Sequence, residues 1–222
     1  MRHPQSHDPT DRDRGSLAHR AARTIREMIL ARRIESGEIL AEEKLARLLQ
    51  ISRTPVREAM FLLQSEGLIQ KQVSQPFRVR RVSNKEYFQS MRLRELLEGE
   101  AVVMAIDRLE PAELDAREAE TARLRDDPAA SAEAHWSADE ALHGMIADAC
   151  DNDVMGGMIR TLRVTTRLFE LSGLPSRFRP DTEEHLAIIQ ALRERDPARA
   201  RAAMTGHIRS LTTDVLETMA RL

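Results

Sequence analysis

The chain has 222 residues, 41% of them apolar and 32% charged, with a single cysteine and 3% aromatic residues. That length allows one large domain or two small ones; the lone Cys150 excludes an intramolecular disulfide and suits a reducing compartment; and no apolar run approaches the roughly 20 residues of a membrane helix. The net charge of −2 is unevenly spread: residues 15–81 hold 13 Lys/Arg against 7 Asp/Glu, residues 1–14 balance, and residues 82–222 carry a deficit of 8. The basic third is therefore the part expected to meet a polyanion. Scarce glycine and aromatic residues, with Ala, Leu, Arg and Glu abundant, favour helices.

Met1–Arg14 is polar, charged and without apolar periodicity, so it reads as a disordered tail and not as a signal peptide. A soluble, cytoplasmic protein is expected. Residues 16–35 predict an amphipathic helix with Leu17, Ala21, Ile25, Met28 and Ile29 on its buried face, stopped at Gly37. In Glu42–Leu49, residues Lys44, Leu45, Leu48 and Leu49 mark one helical face. Ile51 and Ser52 break the run. Ser52 is a good N-cap, and Pro55 falls in the first turn of the next helix, 53–66, where its missing N–H costs little. Val56, Ala59, Met60, Leu62 and Leu63 give that helix its buried face and leave Arg53, Thr54 and Arg57 opposite, near its N-terminus. Two short helices meeting at a sharp turn form a helix-turn-helix, whose second helix offers such positions to base edges and phosphates. Weak alternation over 68–72 and 77–81, around Pro76, predicts a two-stranded wing. Residues 15–81 thus read as a winged helix-turn-helix.

Residues 82–222 predict an all-α bundle of about six helices. Ser83 caps the first, to about Leu109, with Glu86 completing a capping box. Helices then span 111–126, 129–149, 152–172, 181–194 and 197–221, the last opened by Asp196-Pro197; Gly173, Pro175 and Pro180 break the chain before the fifth. Asp139 and His143 lie four apart and share a helix face. His185 and His207 sit on two later helices, so three imidazoles and one carboxylate can converge on a point, a donor set suited to a divalent metal. His135 reads as a rim residue and Trp136 as packing. Arg163 and Arg167 could meet an acid, although a solvated face is the plainer reading.

The order of winged helix and acidic bundle, the string ISRTPVREA, the EGLI after it and the later histidines together resemble the GntR family of bacterial transcription regulators. Within it, the chain from about Leu17 onward resembles the subfamily with a FadR-type C-terminal domain, FCD. The resemblance implies a mainly α protein: a winged helix-turn-helix plus an FCD-like bundle. It implies operator contacts by Arg53 and Arg57, with Arg47, Ser52 and Thr54 at phosphates. It implies a divalent metal ion (Zn, Ni or Mn) on Asp139, His143, His185 and His207, and a small carboxylate effector met by Arg94. The alternative for Arg94 is a salt bridge to Glu98, one turn away; Arg92 is a weaker candidate for the effector. The expected partners are double-stranded operator DNA and a second copy in a homodimer, with no membrane. The expected function is a regulator, most simply a repressor released by its effector. A metal-sensing regulator is the alternative. A metalloenzyme fused to a DNA-binding module is disfavoured, since no HExxH, paired-carboxylate or nucleophile motif accompanies the ligands. Three departures from the family pattern stand out. Ser36-Gly37 replaces Pro-Gly, Glu43 stands where the fatty-acid-responsive branch has arginine, and the wing tip Val73-Ser74-Gln75 lacks glycine.

Overall fold

A computed structural model describes residues 9–72, 74–171 and 177–221, with backbone alone for 9–16. The expectations for residues 1–8, Val73, Gly173 and Pro175 lie outside the described residues. The chain divides into two compact units, Met1–Val82 and Ser83–Leu222.

In the first unit, α1 spans Pro9–Leu30, α2 Glu42–Leu49 and α3 Arg53–Ser65. Helix α1 begins seven residues earlier than expected, so residues 9–14 are helical, and it ends well before Gly37. Ile25 and Ile29 of α1 are buried with Val56, Ala59, Met60 and Leu63 of α3, and α1 packs on α3. Leu48 is 57% exposed and does not join that core. The turn between α2 and α3 is made by Gln50 in the left-handed region (φ 56°), with Ile51 N donating to Ala46 O at 3.1 Å. Ser52 holds the N-cap position in extended conformation, but its hydroxyl makes no capping bond. Helix α3 ends at Gly67 (φ +78°), where Leu68 N donates to Leu63 O and Gly67 N to Gln64 O, each at 3.0 Å. That pattern satisfies the last carbonyls in a left-handed C-terminal cap.

The wing is shorter than expected. Strands β1 (Ile69–Gln70) and β2 (Arg78–Val79) pair antiparallel, Ile69 facing Val79. The other edge of β2 is covered from upstream: Ile39 bridges Arg78, Leu40 N donates to Phe77 O at 2.8 Å and Val79 N to Glu38 O at 3.0 Å. Gly37 therefore begins this third segment and does not stop a helix. Its φ of +82° lies in the left-handed region that favours glycine.

The second unit is an all-α bundle of α4 (Asn84–Ala105), α5 (Pro111–Asp126), α6 (Ala132–Ala149), α7 (Asp153–Glu170), α8 (Phe178–Arg193) and α9 (Pro197–Ala220). Side-chain caps set four starts: Ser83 accepts from Glu86 N, Ser131 from Ala134 N, Asn152 from Met155 N and Asp196 from Arg199 N. Helix α8 starts three residues before expectation and takes in Pro180. Pro180 falls in its first turn, where no intrahelical N–H bond is lost. Helix α4 packs on α6, α7 and α9, and α5 on α8. Tyr87, Met91, Ile146, Ile159, Ile188 and Met204 fill the core between them.

Candidate nucleic-acid interface and metal centre

The sharp turn at Gln50 brings the start of α3 out of the first unit. Ser52, Arg53, Thr54 and Arg57 are all exposed there, while Pro55 and Val56 between them are buried. Arg47 on α2 is exposed as well and pairs loosely with Glu43 at 3.9 Å. The two α3 arginines share one carboxylate. Glu42 accepts from Arg57 Nη2 at 2.7 Å and lies 3.6 Å from Arg53 Nη2. Glu42 entered the sequence reading only as the start of α2; its partner is 15 residues away across the turn.

In the second unit, α6, α8 and α9 bring Asp139, His143, His185 and His207 together, with one possible ligand atom from each within 4.8 Å of all the others. His185 Nε2 lies 3.3 Å from His207 Nε2 and 3.5 Å from Asp139 Oδ1; His143 Nε2 lies 3.6 Å from the same oxygen. The three histidines are almost wholly buried. Two are oriented from behind. Glu98 on α4 takes His143 Nδ1, and Glu184 on α8 takes His207 Nδ1 at 2.7 Å. Each carboxylate holds the Nδ1–H tautomer and leaves Nε2 with its lone pair directed at the cluster. His143 Nε2 is buried without a hydrogen-bond partner among the described residues. A buried acceptor left unmatched is costly, and a cation between these four groups would satisfy it. The donor set of three imidazoles and a carboxylate fits a divalent ion of the Zn, Ni or Mn kind.

The electrostatics agree with that donor set. Burial, aided by Arg163, lowers His143 to about 4, and burial with His207 lowers His185 well below its ordinary value. Both rings are neutral at pH 7, the form that ligates. Burial works to raise Asp139, but the Arg163 guanidinium above all holds it far below the carboxylate range. Glu98 is likewise held ionised against burial by Arg94 and His143.

Two expectations, those for Arg163 and Arg167, are corrected here. Arg163 is not on a solvated face: it is buried, with Nη2 2.5 Å from Asp139 Oδ2 and 3.1 Å from Glu140 Oε2. Arg167 lies over the Trp136 ring. Arg94 makes the internal salt bridge, donating from Nε to Glu98 Oε1 at 2.6 Å and from Nη1 to Thr166 Oγ1 at 3.0 Å. Arg94, Glu98 and His143 thus form one chain of charge-assisted bonds. Arg92 is turned outward onto Glu95 at 2.7 Å. Glu98 and Glu184 were not singled out as partners of the histidines. Glu98 lies 45 residues from His143, and no local spacing marks such a pair.

A narrow cleft with a cavity volume of about 20 Å³ lies between α5, α6 and α8; Asp139 and His185 line it together with His135, Trp136, Phe178 and Asp181. His135 stacks on Phe178 with ring centres 4.3 Å apart. Two of the four candidate ligands therefore line this cleft. Burial pushes the Asp181 carboxyl up to about 8, against the pull of Arg177.

Comparison with known proteins agrees with the two-unit reading. Residues 17–79 match the family described as "Bacterial regulatory proteins, gntR family", and residues 89–210 match "FCD domain". An HTH-type transcriptional regulator in an unstable DNA locus of Streptomyces ambofaciens is 32% identical over 200 residues, covering 86% of this chain and 81% of the relative. The HTH-type transcriptional regulator YcbG of Bacillus subtilis is 28% identical over 222 residues, covering 93% of each. Among solved structures, E. coli McbR/YncC superposes with a TM-score of 0.77 at 21% identity over 91% of this chain and 98% of that one.

Proposed function

We propose, from the premise that the chain belongs to the gntR family of bacterial regulatory proteins and is a DNA-binding transcription regulator with an FCD domain, that it is a repressor controlled by a small organic acid. The acid reaches a divalent metal in the bundle through the α5–α6–α8 pocket. Operator contacts come from Arg53 and Arg57 at base edges, with Arg47, Ser52 and Thr54 at phosphates. Asp139, His143, His185 and His207 hold the ion, which when bound supplies open positions for water or a carboxylate. Arg94 is the guanidinium assigned to the effector carboxylate. An acid that draws Arg94 from Glu98 would also loosen the carboxylate that orients His143.

The observation that carries this reading is the convergence of three imidazoles and Asp139, with His143 Nε2 buried and without a hydrogen-bond partner among the described residues at the same point. A homodimer fits the two-fold symmetry of helix-turn-helix operators. It is supported by the exposed Leu93 and Leu96 of α4 and Val154 and Met158 of α7, two helices that pack side by side. Repression requires that the acid bind the DNA-incompetent form more tightly than the competent one.

The test is metal analysis of the protein expressed without a histidine tag, beside a His185→Ala/His207→Ala double variant. About one divalent ion per chain in the parent and none in the variant is expected. Metal-loaded parent is then screened for release from promoter DNA by small carboxylates. A parent that takes up no Zn²⁺, Ni²⁺ or Mn²⁺ on incubation sinks the metal-anchored model. Release of DNA by the metal alone would instead make the ion the signal.

A further inference from the structure

Glu42 opens α2 and lies against the exposed start of α3. Its side chain is 19% exposed, whereas Arg57 is 55% exposed. Arg57 Nε donates to both Glu42 oxygens, at 3.0 and 3.1 Å, and Nη2 donates to Oε2 at 2.7 Å. A guanidinium presents five N–H groups in a fixed planar fork. Glu42 takes the Nε–Nη2 edge. The terminal edge, Nη1 with the outer hydrogen of Nη2, makes no hydrogen bond among the described residues. That edge has the two parallel donors that pair with O6 and N7 of guanine in the major groove.

An ordinary surface ion pair contributes little, but this one fixes orientation. Arg57 left alone would have to give up its rotamer freedom on meeting DNA. Held from behind by the half-buried Glu42, it meets the groove with that freedom already spent. The same carboxylate places a negative charge beside the phosphates, which weakens binding to every sequence alike. Loss of affinity for all duplexes, combined with a better-aimed reader for one, raises discrimination. Hydrogen bonds from Arg57 hold the Glu42 carboxyl below its ordinary range, so it is ionised wherever the protein binds DNA.

We propose that Glu42 is a positioning residue that aims the terminal edge of Arg57 at a guanine and suppresses binding to non-operator DNA. This rests on the reading of Arg57 as a base contact. It also gives the carboxylate beside the turn a role in recognition that its sign alone would argue against.

The full-length protein would first select a duplex from a randomised library. Dissociation constants are then measured for that duplex, for versions with each guanine replaced, and for a scrambled duplex, using the parent, Arg57→Ala, Glu42→Gln and Glu42→Asp. Arg57→Ala should lose discrimination at one guanine by roughly 5- to 150-fold. Glu42→Gln should lose about 3- to 10-fold at that same guanine, and should bind the scrambled duplex about 2- to 5-fold more tightly at low salt. Glu42→Asp, which keeps the charge, should keep the scrambled duplex weak. A role in folding alone would weaken both duplexes together. If Arg57→Ala loses the guanine and Glu42→Gln keeps it, the inference is overturned while the base contact stands. If Glu42→Gln tightens all duplexes equally, Glu42 acts by repulsion only and the proposal fails. If Arg57→Ala leaves every guanine discriminated, the base contact and the inference on it both fail.

Discussion

Glu98 and Glu170 are two glutamates in one bundle with opposite fates. Burial alone would neutralise either. Glu98 receives Arg94 Nε at 2.6 Å and caps His143 Nδ1, so partners outweigh burial and it stays ionised. Glu170, the last residue of α7, feels Arg94 and Arg167 more weakly, and burial pushes its carboxyl up to about 7. The unfolded chain holds that group near 4.5. The folded form therefore binds the proton more tightly, and its contribution to stability is complete below pH 4.5 and fades as pH rises through 7. Glu170→Gln removes the penalised charge and keeps the shape. Urea unfolding at pH 8 should show the variant more stable by about 1–2 kcal/mol, a figure discounted for the partial exposure of the side chain. At pH 5 the gain should be small. An equal gain at both pH values would mean that the charge is not its cause.

Helices α4 and α7 carry the same contrast at the scale of elements. Their facing sides bury Tyr87, Met91 and Ile159, while their outer sides leave Leu96 at 54% and Val154 at 73% exposure. Apolar side chains spaced along two adjacent helices are what a partner helix pair covers. Leu96→Glu combined with Met158→Glu should convert a dimer to a monomer in sedimentation, with the helical circular dichroism unchanged. A parent already monomeric at micromolar concentration would remove this face from the argument. How far such elements could be read from sequence depended on the range of what fixes them. Starts marked by a local cap, as at Ser83 and Asp196, were legible because the capping bond spans three residues. The four metal-cluster residues were nominated from helical spacing and family resemblance. The wing was misjudged in length because β2 is bounded by residues 37–40, about forty positions upstream. Its tip shows the same dependence on backbone: Ser74 takes a φ of 60°, the region that glycine usually fills. Glu42 as partner of Arg57, and Glu98 as partner of His143, were beyond local reading, since each contact reaches a residue on another helix.

Across the whole molecule, chemistry is divided between the two units. The surplus of basic residues lies in 15–81, and all four candidate metal donors lie in Ser83–Leu222. An ion bound only by the folded bundle stabilises that unit and no other, by about 2.7 kcal/mol when its free concentration is a hundred times the dissociation constant. For a unit of this size, that is a rise of roughly 6–12 °C in its melting temperature. The first unit contains none of the donors, so its unfolding has no direct linkage to the ion. Calorimetry of the full chain before and after dialysis against a chelator should therefore show one transition that falls and one that does not. Restoring Zn²⁺ should bring the first back, and the His185→Ala/His207→Ala variant should show the lower transition under both conditions. If both transitions fall together, the ion must also act on the winged unit, and control of DNA binding would pass through stability shared by the units. If neither moves, the cluster of imidazoles is held together by Glu98, Glu184 and Arg163 alone, and the pocket beside it would have to recognise its acid without a metal.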